Sequence, residues 1–224
     1  MFNNSDRKKA RLTVDITSNK ELSVGTYNLY MGGSVFYGFL INFLSVMFLE
    51  DFFLSINPIA FLVAYFVLCI AGSIVSATSN NPIVSFVGYN MIVLPIGGLL
   101  TIALQGYSGA DIMAAIMVTG IVVLAMTALA IIKPDLFNGI GKALLIALIL
   151  ALVGEIVAMC FGYGGNAFNW IFVILFSTYI GYDYAKAQKY PKCLDNAIDS
   201  AVDIYLDIIN LFLRILEIIS KSDD

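Results

Sequence analysis

The chain has no histidine among its 224 residues, which removes histidine-ligated zinc, histidine-based catalytic triads and the imidazole pH switch. Any titration near neutrality therefore falls to carboxylates in unusual surroundings. Charge is scarce too: Asp, Glu, Lys and Arg make up 12% of the chain, against roughly 25% in soluble globular domains. Cysteine is limited to Cys69, Cys160 and Cys193, whose scatter fits neither a disulfide framework nor a metal site, so small buried packing residues are expected. What is abundant is apolar. The chain is 60% hydrophobic, with a mean hydropathy of +0.89. Such a composition cannot supply a surface that faces water on all sides, and it points to an all-α membrane protein.

Uncharged stretches set the expected number of spans. Gly25–Leu49, Phe52–Ala110 and Ile112–Ile132 carry no charge, and Glu155 is the one acid or base from Ala143 to Tyr182. A spanning helix needs about 20 mostly apolar residues, so Phe52–Ala110 must hold two, divided at Thr78-Ser79-Asn80-Asn81-Pro82. Ala143–Tyr182 divides likewise at Gly162-Tyr163-Gly164-Gly165-Asn166. Seven spans result, at about 27–49, 57–77, 82–105, 110–132, 142–161, 167–188 and 199–219. They form a single transmembrane domain over residues 25–220, after a polar tail of residues 1–24, and leave no room for a separate soluble catalytic domain. Pro95 is expected to kink the third span.

Arg7, Lys8, Lys9, Arg11 and Lys20 precede the first span, Lys133 and Lys142 flank the fourth loop, and Lys186, Lys189 and Lys192 flank the sixth. A cytoplasmic N-terminus puts all ten on the cytoplasmic side, leaving Arg214 and Lys221 toward the other. The polar start does not read as a cleavable signal, so the first span is expected to direct insertion. Its basic residues suit anionic lipid; nucleic acid is not an expected partner, because no phosphate-contacting patch is evident.

Acids within membrane spans are costly and need partners or water. Glu50, Asp51 and Asp111 fall at the outer ends of spans, where they are solvated. Glu155 lies inside the fifth span, either as a buried acid bonded to a neighbouring helix or as a lining or proton-coupled group. The last helix carries Asp195, Asp199, Asp203 and Asp207 at four-residue spacing, followed by Asn210, Arg214 and Glu217. At 100° per residue these positions share a sector of about 120°, a polar stripe that must face protein or water. Like charges at this spacing destabilise a helix, so the run is not there for helix stability. The alternative is an interfacial helix with a wet stripe.

Asp183 stands at the cytoplasmic end of the sixth span, one turn from Lys186. A symmetric hairpin around Pro191 places it level with Asp199 or Asp203, whereas Asp207 reaches that depth only if the last helix enters the membrane late. Spacing alone does not choose. Two carboxylates sharing a low-dielectric site cannot both ionise cheaply, so such a pair holds one proton and titrates as a unit. Losing the proton leaves two negative charges that repel or recruit a cation. Oxygen-only ligands suit a hard cation such as calcium, bound in transit rather than as a cofactor.

The run Tyr205-Leu206-Asp207-Ile208-Ile209-Asn210-Leu211-Phe212 resembles the C-terminal signature of the Bax inhibitor-1, or transmembrane Bax inhibitor motif, family. Tyr179-Ile180-Gly181-Tyr182-Asp183 resembles its sixth-helix motif, and Lys133-Pro134-Asp135-Leu136 is similar to its fourth-to-fifth loop. The resemblance implies seven helices with the seventh central in the bundle. It also implies a pH-sensitive calcium leak in a bacterial plasma membrane, gated by a hydrogen-bonded aspartate pair carried over to Asp183 and Asp207. Asp199, Asp203, Glu155, Asn210 and Arg214 are then candidates for the ion pathway. It further implies an extramembrane connection from Lys186 to about Asp199. Leak-type relatives carry an arginine near the cytoplasmic end of the second helix, where this chain has Ile74-Val75-Ser76-Ala77-Thr78-Ser79. Lys186 is one replacement for it. The alternative function is that of an adaptor that uses the N-terminal tail to bind other membrane proteins, such as a quality-control protease. Without histidine, or a Ser-Lys or Gly-x-Gly-Asp signature, intramembrane hydrolysis is not expected.

Overall fold

Asparagine–proline pairs start two of the helices in the computed structural model, which describes residue 11, residues 21–163 and residues 166–221. The Asn57 side chain accepts hydrogen bonds from the Ile59 and Ala60 amides, and the Asn81 side chain from that of Ile83. Each satisfies donors that the first helical turn leaves open, while the proline that follows needs no partner for an N–H it lacks. Ser23 and Ser108 cap two more helices in the same way.

Eight α-helices occur among the described residues: α1 (Val24–Phe48), α2 (Glu50–Ser55), α3 (Pro58–Thr78), α4 (Pro82–Ala103), α5 (Gly109–Ile132), α6 (Gly141–Cys160), α7 (Asn166–Ala187) and α8 (Leu194–Ser220). Short 3₁₀ turns at Leu104–Gly106 and Pro134–Phe137 join them, and no strand occurs among the described residues. Five segments are long and apolar enough to cross a membrane: α1, α3, α4 with its following turn, α5 and α6. The seven-span expectation therefore holds for five helices on length and composition. Helices α7 and α8 have similar lengths but are less apolar.

Two features differ from expectation. A short helix, α2, fills part of the loop between α1 and α3. Pro95 lies inside α4, which continues past it. The last helix begins at Leu194 rather than near residue 199, so the connection from α7 is only residues 188–193 and Asp195 already lies inside the helix. Cys160 is exposed, not a buried packing residue, whereas Cys193 is buried.

The chain forms two compact units. One comprises residues up to Gly106 together with Lys189–Val202; the other comprises Tyr107–Gln188 and residues from Asp203 onward. In the first, α3 and α4 approach through facing glycines. A Cβ on Gly72 would lie 2.5 Å from the Gly88 carbonyl oxygen, and one on Gly88 would lie 2.8 Å from that of Gly72. Helix packing without a hydrophobic drive relies on such small residues. Helix α1 joins α4 through a Tyr37–Asn90 hydrogen bond of 2.7 Å and a Tyr89 hydroxyl donating to the Ser34 carbonyl at 2.8 Å. In the second unit, Phe137 sits over Gly181 and the Tyr182 hydroxyl over Gly141, so close that a Cβ on either glycine would push the ring aside.

Apolar side chains face outward. Ile146, Leu150, Val153 and Val157 are exposed along α6, as are Leu29, Phe36 and Phe43 along α1. A contiguous exposed apolar surface of this extent is what acyl chains solvate. Helix α8 is the opposite: Ile204, Ile208, Ile209, Leu211, Phe212, Ile215 and Leu216 are all buried.

Candidate functional site

Because α8 repeats an acid every fourth residue, successive acids advance about 6 Å along its axis on one face. Each meets a different set of partners, and these partners come from neighbouring helices.

In the second unit, Lys186 lies three residues after Asp183, one turn along α7. Its ammonium donates to Asp183 Oδ1 at 2.8 Å and to Asp203 Oδ2 of α8 at 3.2 Å. The Asp183 and Asp207 carboxyl groups lie close enough for each to feel the other's charge. Asp207 Oδ2 is enclosed, and no amide, hydroxyl or ammonium donor among the described residues reaches it. Two ionised carboxylates only accept hydrogen bonds, so a direct bond between them would need a proton. Asp183, Asp203 and Asp207 thus gather around one ammonium group, and both members of the pair are buried.

Farther along the same unit, Arg214 of α8 forms a two-pronged ion pair with Glu155 of α6. Its Nη2 donates to Glu155 Oε2 at 2.8 Å, and its Nη1 donates to Glu155 Oε1 and to Asn169 Oδ1, the latter at 2.9 Å. The guanidinium lies over the Phe172 ring, 4.0 Å from its centroid. Glu155 is therefore a half-buried acid ion-paired with a neighbouring helix. Asn210 joins none of the acids: its Nδ2 donates to the Leu206 carbonyl of its own helix at 2.8 Å.

In the first unit, the Ser76 hydroxyl of α3 donates to Asp199 Oδ1, and Arg11 Nε lies 3.3 Å from Asp199 Oδ2. The Ser85 hydroxyl of α4 donates to Asp195 at 2.6 Å. Tyr27 and Ser200 share a hydrogen bond of 3.1 Å. The stripe is buried here, which corrects the wet interfacial alternative. Arg11, expected to face anionic lipid, is turned onto an aspartate. Outside the helices, burial holds the Lys192 ammonium below its usual pKa and pushes the Cys193 thiol up.

Ser76, Ser85, Asn169 and Arg11 were not singled out by the sequence reading. Ser76 and Ser85 flank the Thr78–Pro82 turn at similar distances, a level placement that marks them as candidates. Nothing in the spacing of Arg11 points to Asp199. Among the described residues, no group of three or more cysteine, aspartate or glutamate side chains could hold a metal ion.

The fold and these pairings define a class: an all-helical membrane protein with apolar outer faces and charged side chains paired within its units. The family described as "Inhibitor of apoptosis-promoting Bax1" matches residues 20–224, and the chain belongs to it. It is 39% identical over 100 residues to an uncharacterised protein of Helicobacter pylori, which covers 41% of this chain and 40% of that protein. It is 35% identical over 122 residues to Protein LIFEGUARD 4 of Arabidopsis thaliana, covering 52% and 49% respectively. An uncharacterised membrane protein of Streptococcus pyogenes is 25% identical over 135 residues, covering 57% and 59%. The chain thus matches about half the length of these curated relatives.

Proposed function

We propose that the protein is a pH-sensitive calcium leak of a bacterial plasma membrane, gated by the Asp183–Asp207 pair. The observation that carries this reading is the closeness of two buried carboxyl groups, with no hydrogen-bond donor among the described residues at Asp207 Oδ2. While the proton is held, α7 and α8 are tied. When it leaves, two adjacent negative charges remain beside Lys186 and Asp203, repelling each other and attracting a cation. Flux is therefore expected to rise as pH passes the apparent pKa of the pair. Oxygen ligands without thiolate or imidazole favour a hard cation.

In this reading α7 and α8 also cross the bilayer, giving seven spans. Their acids are tolerated because partners within the protein, rather than lipid, surround them. The Lys and Arg distribution supports a cytoplasmic N-terminus.

The test is calcium entry into liposomes holding the purified protein and a calcium-sensitive dye. Asp207→Asn is expected to abolish or strongly shift the pH dependence, and Glu155→Gln to shift it less. Flux no greater than that of empty liposomes defeats the leak reading and leaves the adaptor alternative, in which a membrane protein partner, such as a protease, is lost when residues 1–24 are removed.

A further inference from the structure

A connection between two helices ordinarily runs over the surface in contact with water. The one between α7 and α8 departs from this at two positions, for Tyr190 is 5% exposed and Cys193 is fully buried. The start of the chain is part of what meets it. The Leu22 amide, which lies ahead of α1 and outside its hydrogen-bond ladder, donates to the Lys192 carbonyl at 2.7 Å. One turn into α1, the Tyr27 ring lies under the Lys192 ammonium, 4.6 Å from ring centroid to nitrogen. The Tyr27 hydroxyl donates to the Asn196 carbonyl at 3.3 Å and shares a hydrogen bond of 3.1 Å with Ser200. Arg11 lies over the Tyr190 ring, 5.2 Å from its centroid. Asn196 draws these pieces together: it is fully buried, and its Nδ2 donates to the Pro191 carbonyl at 3.0 Å and to the Arg11 carbonyl at 3.2 Å. All of these residues belong to the first compact unit.

We propose that the start of the chain, through Arg11, Leu22 and Tyr27, is a strap seated on the α7–α8 connection. It is an autoinhibitory contact that a protein partner must displace before it can grip the N-terminal segment. The proposal rests on the adaptor alternative, in which that segment is what other membrane proteins bind. Groups committed to the seat are withheld from a second protein, and these include the Leu22 amide, the Arg11 carbonyl and the face of the Tyr190 ring under the guanidinium. Each contact is a single hydrogen bond or a cation over a ring, small in net terms, so the strap can be lifted without unfolding the helices. A partner's apparent affinity is then its intrinsic affinity scaled by the fraction of molecules with the strap lifted, and loosening the seat raises it.

Two readouts on the full-length protein in lipid nanodiscs test this. The first is hydrogen–deuterium exchange resolved to the Leu22 amide, whose protection reports its bond to Lys192 because no helix of its own protects it. It is expected to exchange many times more slowly than a free-chain amide, and several-fold faster in Tyr27→Phe, which keeps the ring and loses the hydroxyl. The second is binding of an antibody fragment raised against a peptide of residues 11–22, which stands in for a partner. It is expected to bind Tyr27→Phe and Tyr190→Leu several-fold more tightly than the wild type. Tyr37→Phe, which loses a bond to Asn90 farther along α1, is expected to match the wild type in both readouts. A Leu22 amide that exchanges at the free-chain rate overturns the seat. Equal fragment binding by the wild type and the two seat variants overturns the autoinhibition, and so does an equal gain in Tyr37→Phe. Should Tyr190→Leu fail to fold, Tyr27→Phe decides alone. Neither readout needs a natural partner, so a failure of the adaptor reading to yield one is distinct from a failure of the strap.

Discussion

Replacing Arg214 with methionine removes the central member of a half-buried polar cluster while keeping most of the apolar stem. The guanidinium makes two hydrogen bonds to Glu155 and one to Asn169, and it rests on Phe172. Removing one partner of a fully buried ion pair costs about 3–5 kcal/mol, whereas an exposed pair contributes about 0–1 kcal/mol. With side chains 22% and 21% exposed, this pair lies nearer the buried limit. Arg214→Met is therefore expected to destabilise by about 2–3 kcal/mol, because Glu155 is left enclosed without a counter-charge. Glu155→Gln is milder, about 1–2 kcal/mol, since Arg214 keeps Asn169 and gains an amide oxygen. The double variant removes both charges, so its loss falls short of the sum by about 1–2 kcal/mol. Thermal unfolding in detergent micelles, read for all four proteins of the cycle, measures that coupling. Additivity within about 0.5 kcal/mol refutes the view that the two charges are held by each other.

Gly88→Ala places a Cβ 2.8 Å from the Gly72 carbonyl oxygen and 2.8 Å from the Ser76 amide nitrogen, both main-chain atoms that cannot rotate away. A loss of about 1–3 kcal/mol is expected in the same unfolding assay, whereas Gly32→Ala, with nothing within 4 Å, serves as a tolerated control. Maleimide is expected to label Cys160, which is exposed, while Cys193 reacts only after unfolding because it is buried and burial raises its thiol pKa. Burial lowers the Lys192 pKa from 10.5, so between its folded pKa and 10.5 the unfolded chain binds more protons. Wild type should then gain stability relative to Lys192→Met as pH rises through that window and show a constant difference below it; a difference that stays flat to pH 10.5 contradicts the burial cost.

The helix starts were legible from single residues. Asn57-Pro58 and Asn81-Pro82 mark caps whose geometry is local, and a cap needs only the next turn to be satisfied. The start of α8 was not legible, because the pattern leaves Asp195 and Asp199 facing either protein or water until Ser85, Ser76 and Arg11 are brought to them. Glu155 shows the same gap. Its position inside an apolar run says that it needs a partner, but Arg214 lies 59 residues away, and only packing brings the two together.

Composition and periodicity by themselves determined that this chain lives among apolar helices, where those helices begin and end to within a few residues, and that one face of the last helix is polar. These are properties of residues and their near neighbours, set by hydrophobicity and by the 3.6-residue turn. Which acid meets which base was decided only in the tertiary structure. Four aspartates at equal spacing are equivalent along a helix, and what distinguishes Asp207 beside Asp183 from Asp199 beside Arg11 is the set of side chains that other helices carry to each level. The electrostatics of a buried charge depends on its neighbours within a few ångströms, and those neighbours are chosen by the fold.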